Sequence, residues 1–278
     1  MPSSMVDAVS NYVIDNIASG VELNDSERPS LVGIKFYVSA DDKENFRPAF
    51  NTYLSQIVTK EMPVAPQIHE SRIESKDWEN SYRESILPVL INQEICVRPP
   101  WAEAPQGVKF DIIIEPKMAF GTGHHETTRT CLQLIYSKFR KGQRLLDFGC
   151  GSGLLAILAG QMGAEYVKGV DLDNLAVDNA LENFAINQIK CQYEILLGSF
   201  DKIENDLPYD MVCANLTKPD IVANLNYLVK VLKQDGLLVL SGILVTEQDE
   251  IEKYFAKHQL TIENCIHINE WLTYSLKK

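Results

Sequence analysis

The chain has 278 residues, enough for one large domain or two smaller ones, and 45% of them are hydrophobic, so a full core is available. It holds no apolar run of about eighteen residues, so no membrane span is expected, and Met1-Pro2-Ser3-Ser4-Met5 lacks the basic and apolar stretches of a secretory leader. The net charge of −12 opposes nonspecific binding to nucleic acid and suits either a basic protein partner or simple solubility.

In chain order, Val6, Val9, Val13, Ile14 and Ile17 form a helical stripe over residues 6–18. Leu31 to Val38 alternates like a strand. Asp41 and Asp42 precede a helix over about 43–58, with Phe46, Phe50, Tyr53, Leu54 and Ile57 on one face, and Pro63 and Pro66 follow. A further helix is predicted from Asp77 to Leu87, stopping before Pro88, and Ile91 to Val97 reads as one strand. The proline-rich stretch 99–107 reads as a linker between a domain at 1–98 and a second at 108–278. The first 108 residues carry nine Lys/Arg against sixteen Asp/Glu, so both parts are acidic.

After the linker, strands are predicted at about 108–114, 143–148, 166–171, 192–197, 209–214 and 236–241, with helices between most of them. That alternation predicts a parallel sheet covered on both faces. Two last strands, 259–268 and 271–277, suit an antiparallel edge. The six cysteines are scattered and form no C-x-x-C, which fits free thiols in a reducing cytoplasm better than disulfides or zinc.

The stretch Leu145 to Gly153 joins an apolar strand, Asp147, and glycines at 149, 151 and 153 to the start of a helix. Glycines there allow positive φ and close approach of a ligand to the backbone. Asp171 ends the next apolar run, where a carboxylate can accept from both hydroxyls of a ribose. An adenosine cofactor is therefore expected. A dinucleotide fingerprint fails because Leu154 stands where its third glycine belongs, and no phosphate-binding G-x-x-x-x-G-K-[ST] loop occurs. The pattern D-x-G-x-G-x-G instead resembles the first motif of the S-adenosylmethionine (SAM) methyltransferases.

Methyl transfer is an in-line displacement and needs an aimed, neutral nucleophile rather than a metal. Asn215, directly after the apolar strand 209–214, is the catalytic candidate, since its carbonyl can accept from an amine and direct the lone pair. Capping of the following helix is the competing role. His124 and His125 are adjacent with no third ligand nearby, so no metal site is assigned.

The segment Ala119 to Arg129, A-F-G-T-G-H-H-E-T-T-R, resembles that of the bacterial ribosomal protein L11 methyltransferases (PrmA). Lys76-Asp77-Trp78, Ile95-Cys96-Val97, Pro100-Trp101, the 147–153 loop, Gly169 to Asp173, Ala214-Asn215-Leu216, Ser241 to Leu244 and Glu270-Trp271 follow in the family's order. The resemblance spans about residues 76–278. Lys117 and Thr217-Lys218-Pro219 depart from it, and the N-terminal region matches poorly.

The resemblance implies a Rossmann-like SAM-dependent catalytic domain and a smaller N-terminal α/β domain that recognises the substrate. Thr128, Gly149, Asp171 and Asn215 would contact SAM, together with Asp147 and Gly151 of the glycine loop. Phe120, Gly121 and Thr122 would cover the cofactor and the substrate entrance, while Ser199 and Phe200 would border the adenine. The implied reaction is methylation of lysine side chains, and of the N-terminal amine, on ribosomal protein L11 in the cytoplasm. A lysine methyltransferase for another protein, a small-molecule methyltransferase and a non-catalytic SAM-binding module are the rival readings.

Overall fold

The computed structural model describes residues 6–18, 21–24, 33–38, 43–57, 68–71, 86–117 and 121–278. The chain divides into two compact units, 1–74 and 75–278. The expected helix at 77–87 lies almost wholly outside the described residues, as do Pro63 and Pro66.

In the first unit, α1 (Val6–Asn16) and α2 (Lys43–Ile57) confirm the two predicted apolar stripes. Val9 and Val13 of α1 are buried with Phe50 and Leu54 of α2. Tyr12 stacks on Tyr53, with ring centroids 3.8 Å apart. The strands β1 (Glu22–Asn24) and β2 (Gly33–Lys35) pair antiparallel. Stacked aromatic rings thus add to the aliphatic packing between α1 and α2.

The second unit opens with a sheet of three strands, β3 (Val89–Ile91), β4 (Ile95–Arg98) and β5 (Phe110–Ile113). The single strand expected at 91–97 is thus a hairpin. Its turn takes Asn92 and Gln93 to φ of 51° and 61°, the left-handed values that a tight hairpin turn demands. The expected linker at 99–107 lies inside this unit. It joins β4 to β5, which pair in parallel, and is closed by Arg98, whose Nε and Nη2 each donate to Asp111 at 2.7 Å while Nη1 donates to the Ala102 carbonyl at 2.6 Å. The strand expected at 108–114 therefore belongs to this small sheet and not to the large one.

The large sheet has seven strands: β6 (Arg144–Phe148), β7 (Tyr166–Asp171), β8 (Gln192–Leu197), β9 (Tyr209–Asn215), β10 (Leu232–Leu244), β11 (Thr261–Ile268) and β12 (Trp271–Lys277). Their order is β11-β12-β10-β9-β6-β7-β8. Strands β6 to β10 run parallel, and β12 runs antiparallel between β10 and β11. The reversed strand is therefore one place in from the edge, because the β11–β12 hairpin inserts its second strand next to β10.

Alternate residues of each strand enter different cores, as the pleat requires. Leu145, Met211, Cys213 and Val239 pack with α3 (Glu126–Lys138), α4 (Leu154–Gln161) and α5 (Asn174–Ile186). Leu146, Val212, Ala214 and Leu240 pack with α6 (Lys218–Val231) and α7 (Gln248–Lys257). Both faces are covered, which explains why these strands read as continuous apolar runs.

Asn183 of α5 and Asn187, which caps the helix at its carboxyl end, then register the chain that leaves β5. Asn187 accepts from the Ile113 amide at 2.9 Å, and Asn183 accepts from the Glu115 amide at 2.9 Å while donating to the Ser152 carbonyl at 2.9 Å. A bulge at Gly242 in β10 admits the segment after β9. Gly242 has φ of 86°, and a Cβ there would sit 2.3 Å from the Leu216 carbonyl oxygen. Backbone cannot yield as a side chain can, so Gly242→Ala should destabilise the protein by more than about 1 kcal/mol. Urea unfolding checks this, and an unchanged midpoint and slope would show that the bulge tolerates a side chain.

Candidate active site

The carboxyl ends of β6, β7 and β9 meet at one edge of the large sheet, where parallel strands leave their last backbone groups free. β6 ends in Asp147-Phe148, and the glycine turn begins at once, with φ of 76°, 52° and 78° at Gly149, Gly151 and Gly153. A Cβ on Gly149 would lie 2.5 Å from Leu216 Cδ2, so the turn is also narrow. Asp147 is 1% exposed and accepts from the Ala156 amide of α4 at 3.2 Å. Burial pushes its carboxyl pKa well above the usual value; the Asp171 charge adds to this and the Ala156 bond opposes it.

Asp171 is held differently. The Gly151 amide donates to its Oδ2 at 2.8 Å and the Asp173 amide to its Oδ1 at 3.0 Å. Each oxygen keeps a further lone pair. The carboxylate is therefore aimed by backbone and partly open to the cleft beside the glycine turn.

Asn215 ends β9. Its Nδ2 lies 3.4 Å from Thr128 Oγ1, in the first turn of α3. With the amide so turned, its carbonyl oxygen is left to face other partners. His125 caps α3 by accepting from the Thr127 amide at 3.3 Å, and its ring meets Trp271 edge-on at 5.0 Å. Ser152 donates to the Gly121 carbonyl at 2.7 Å, which clasps the segment before α3 to the glycine turn.

These groups enclose a cleft of about 460 Å3. Gly121, Thr128, Asp147, Gly149, Gly151, Asp171, Ser199 and Asn215 all line it, so eight of the candidate residues come together. Thr122 does not line it, and its hydroxyl lies 3.4 Å from His124 Nδ1. Phe200 does not line it either; it is half-buried, stacked on Tyr227 of α6 with ring centroids 3.7 Å apart. Phe120 lies outside the described residues. His125, Leu216, Asp220, Asn224 and Trp271 line the cleft without having been singled out as binding residues. The aromatic at the start of β12 was the one available signal, and only tertiary pairing brings it to α3. No cluster of metal-ligating side chains occurs among the described residues.

The strand order with its reversed penultimate strand, the glycine turn and the acid ending the next strand define the Rossmann-like fold of methyltransferases. The chain belongs to the ribosomal protein L11 methyltransferase (PrmA) family, whose model matches residues 5–278. The match reaches through the N-terminal region that the sequence resemblance had left aside. The "Ribosomal protein L11 methyltransferase" of Nitratiruptor sp. is 32% identical over 98% of this chain and 91% of its own length. That of Wolinella succinogenes is 32% identical over 100% and 96%, and that of Campylobacter concisus 38% identical over 74% and 71%. The crystal structure of ribosomal protein L11 methylase from Lactobacillus delbrueckii subsp. bulgaricus superimposes with a TM-score of 0.64 at 25% identity, covering 69% of this chain and 98% of that one.

The buried Asp147 yields a pH test. Its folded pKa is raised above the unfolded value of about 3.9, so its contribution to stability is fullest below that value and falls as pH rises toward the folded pKa. Asp147→Asn keeps an acceptor for Ala156 and removes the titration. The variant should gain stability relative to the parent as pH rises through that window, by urea unfolding of both proteins. A variant whose stability stays level with the parent's or falls behind it as pH rises would contradict the raised pKa of Asp147.

Proposed function

We propose that this protein transfers methyl groups from SAM to amines of ribosomal protein L11, namely lysine side chains and the N-terminal amine. The observation that carries the reading is the turned amide of Asn215, with Nδ2 committed to Thr128 at the carboxyl end of β9. The cleft suits a sulfonium cofactor better than a dinucleotide. Among the described residues its lining includes no Lys or Arg, and the Gly151 amide that a pyrophosphate would seek is already given to Asp171.

SAM, when bound, supplies an electrophilic methyl group. Asp171 would accept from the ribose hydroxyls, and Gly149 and Gly151 would let the cofactor lie against the backbone. Thr128 and Asp147 would stand beside it, and Ser199 would border the adenine. Asn215 would accept one N–H of the neutral amine and aim its lone pair. A lysine amine is mostly protonated near neutrality, with an ordinary pKa of about 10.4, so it must first lose a proton to water. His125 and Trp271 form a wall of the same cleft and would help exclude water from the approach. The chain's acidity favours a basic protein over nucleic acid as partner. No helix among the described residues is long and apolar enough to cross a membrane, and a ribosomal substrate would place the reaction in the cytoplasm.

Asn215→Ala should cut turnover far more than SAM affinity, because aiming matters most in the transition state. Steady-state rates at saturating SAM, paired with calorimetry, test this; equal turnover in both proteins would remove Asn215 from the reaction. The parent rate should also climb with pH as the amine deprotonates.

Asp171→Ala should weaken SAM binding by about 1–3 kcal/mol, the usual worth of hydrogen bonds to a charged acceptor. Unchanged affinity in a folded variant would reject Asp171 as the ribose acceptor.

The N-terminal part is proposed to dock the substrate. The Lactobacillus structure is covered almost whole by 69% of this chain, which supports a catalytic unit that folds without the rest. Deletion of residues 1–74 should keep SAM binding and lose methylation of folded L11. A folded truncation that works at the full-length rate would assign recognition to the second unit.

A further inference from the structure

A row of buried polar side chains runs away from the cleft. Asn215, Ser241 and Thr273 stand opposite one another on β9, β10 and β12. They alternate with residues packed beside α6 and α7, so they share the face that α3 covers. Ser241 and Thr273 are 0% and 1% exposed, and Thr273 does not line the cleft.

The hydroxyls form one connected row. Ser241 Oγ lies 2.6 Å from Thr273 Oγ1, which lies 2.6 Å from Thr130 Oγ1 on α3. Thr130 donates to the Thr127 carbonyl at 2.9 Å, and Ser241 Oγ lies 3.5 Å from the same carbonyl. The row therefore links the strand beside Asn215 to the first turn of α3. Thr128, the next residue of that turn, meets the Asn215 amide.

Buried hydroxyls cost stability unless each is paired, and an apolar row could fill the same space without that demand. What the hydroxyls add is direction. They set the rotation and height of α3 against the strand ends, and hence the place of Thr128.

We propose that Thr273, two strands from Asn215 and outside the cleft, is a positioning residue for methyl transfer. Its hydroxyl holds the first turn of α3 so that Thr128 keeps the Asn215 amide turned. The role in transfer rests on the function proposed above; the hold on Asn215 does not.

The test uses the full-length protein with Thr273→Val, which keeps the shape and loses the hydroxyl, and Thr273→Ser, which does the reverse. In Thr273→Val, kcat on L11 should fall about tenfold or more, while KM for L11 and the affinity and stoichiometry of SAM binding stay within about twofold. In Thr273→Ser, kcat should stay within about twofold of the parent. The side-chain amide resonances of Asn215, assigned with Asn215→Asp, should shift in the valine variant and return in the serine variant.

Parent turnover in Thr273→Val, a fall without a resonance shift, or an equal fall in both variants would overturn the proposal, the last by making packing of the methyl group the cause. Should Thr273→Val fail to fold, Ser241→Ala replaces it with the same readouts and criteria. A parent protein that transfers no methyl group to L11 would sink the functional reading, while the resonance comparison would still decide whether Thr273 holds Asn215.

Discussion

The carboxylate of Asp171, held between the amides of Gly151 and Asp173, is the contact on which the rest of the site depends. It joins the turn after β6 to the turn after β7, so the glycine loop cannot move without the acid. The same bond removes the loop amide that an anionic cofactor would have used. Asp147, one strand over, is buried beneath the turn with a raised pKa; it ties β6 to α4 and lines the same cleft.

Around that contact, the pleat of β6, β9, β10 and β12 decides which side chains meet. Residues at 145, 211 and 239 go to the α3 side, and the polar row at 215, 241 and 273 follows the same alternation. The bulge at Gly242 breaks the register just past Ser241 and opens room for the Leu216 backbone. The position of Asn215 is thus a consequence of sheet geometry, and α3 fixes only how its amide is turned.

Much of this was legible in the residues. The strands 166–171 and 192–197 fall where apolar runs predicted them, and the glycine turn and Asp171 that stand out in the sequence line the cleft. Other features were hidden, each for a physical reason. The hairpin at 89–98 turns on Asn92 and Gln93, which without a glycine leave the run looking continuous. The stretch 99–107 has a linker's composition, yet Arg98 and Asp111 close it into a loop between paired strands, which only the tertiary partner reveals. Phe200 follows Ser199 in sequence but, in the short helical turn Phe200–Lys202, stacks on Tyr227 and packs half-buried against the core. Thr273 carries no motif, and strand pairing alone sets it and Ser241 in line with Asn215.

The function proposed for this cleft is to aim a protein amine at a methyl donor. The most direct measurement incubates the full-length protein with SAM carrying a labelled methyl group and purified ribosomal proteins, then locates the label by mass spectrometry of peptides. Labelled methyl groups are expected on amines of L11, and are expected to be lost when Asn215 is replaced by Ala. Label confined to other proteins, or to atoms other than amine nitrogens, would contradict that function.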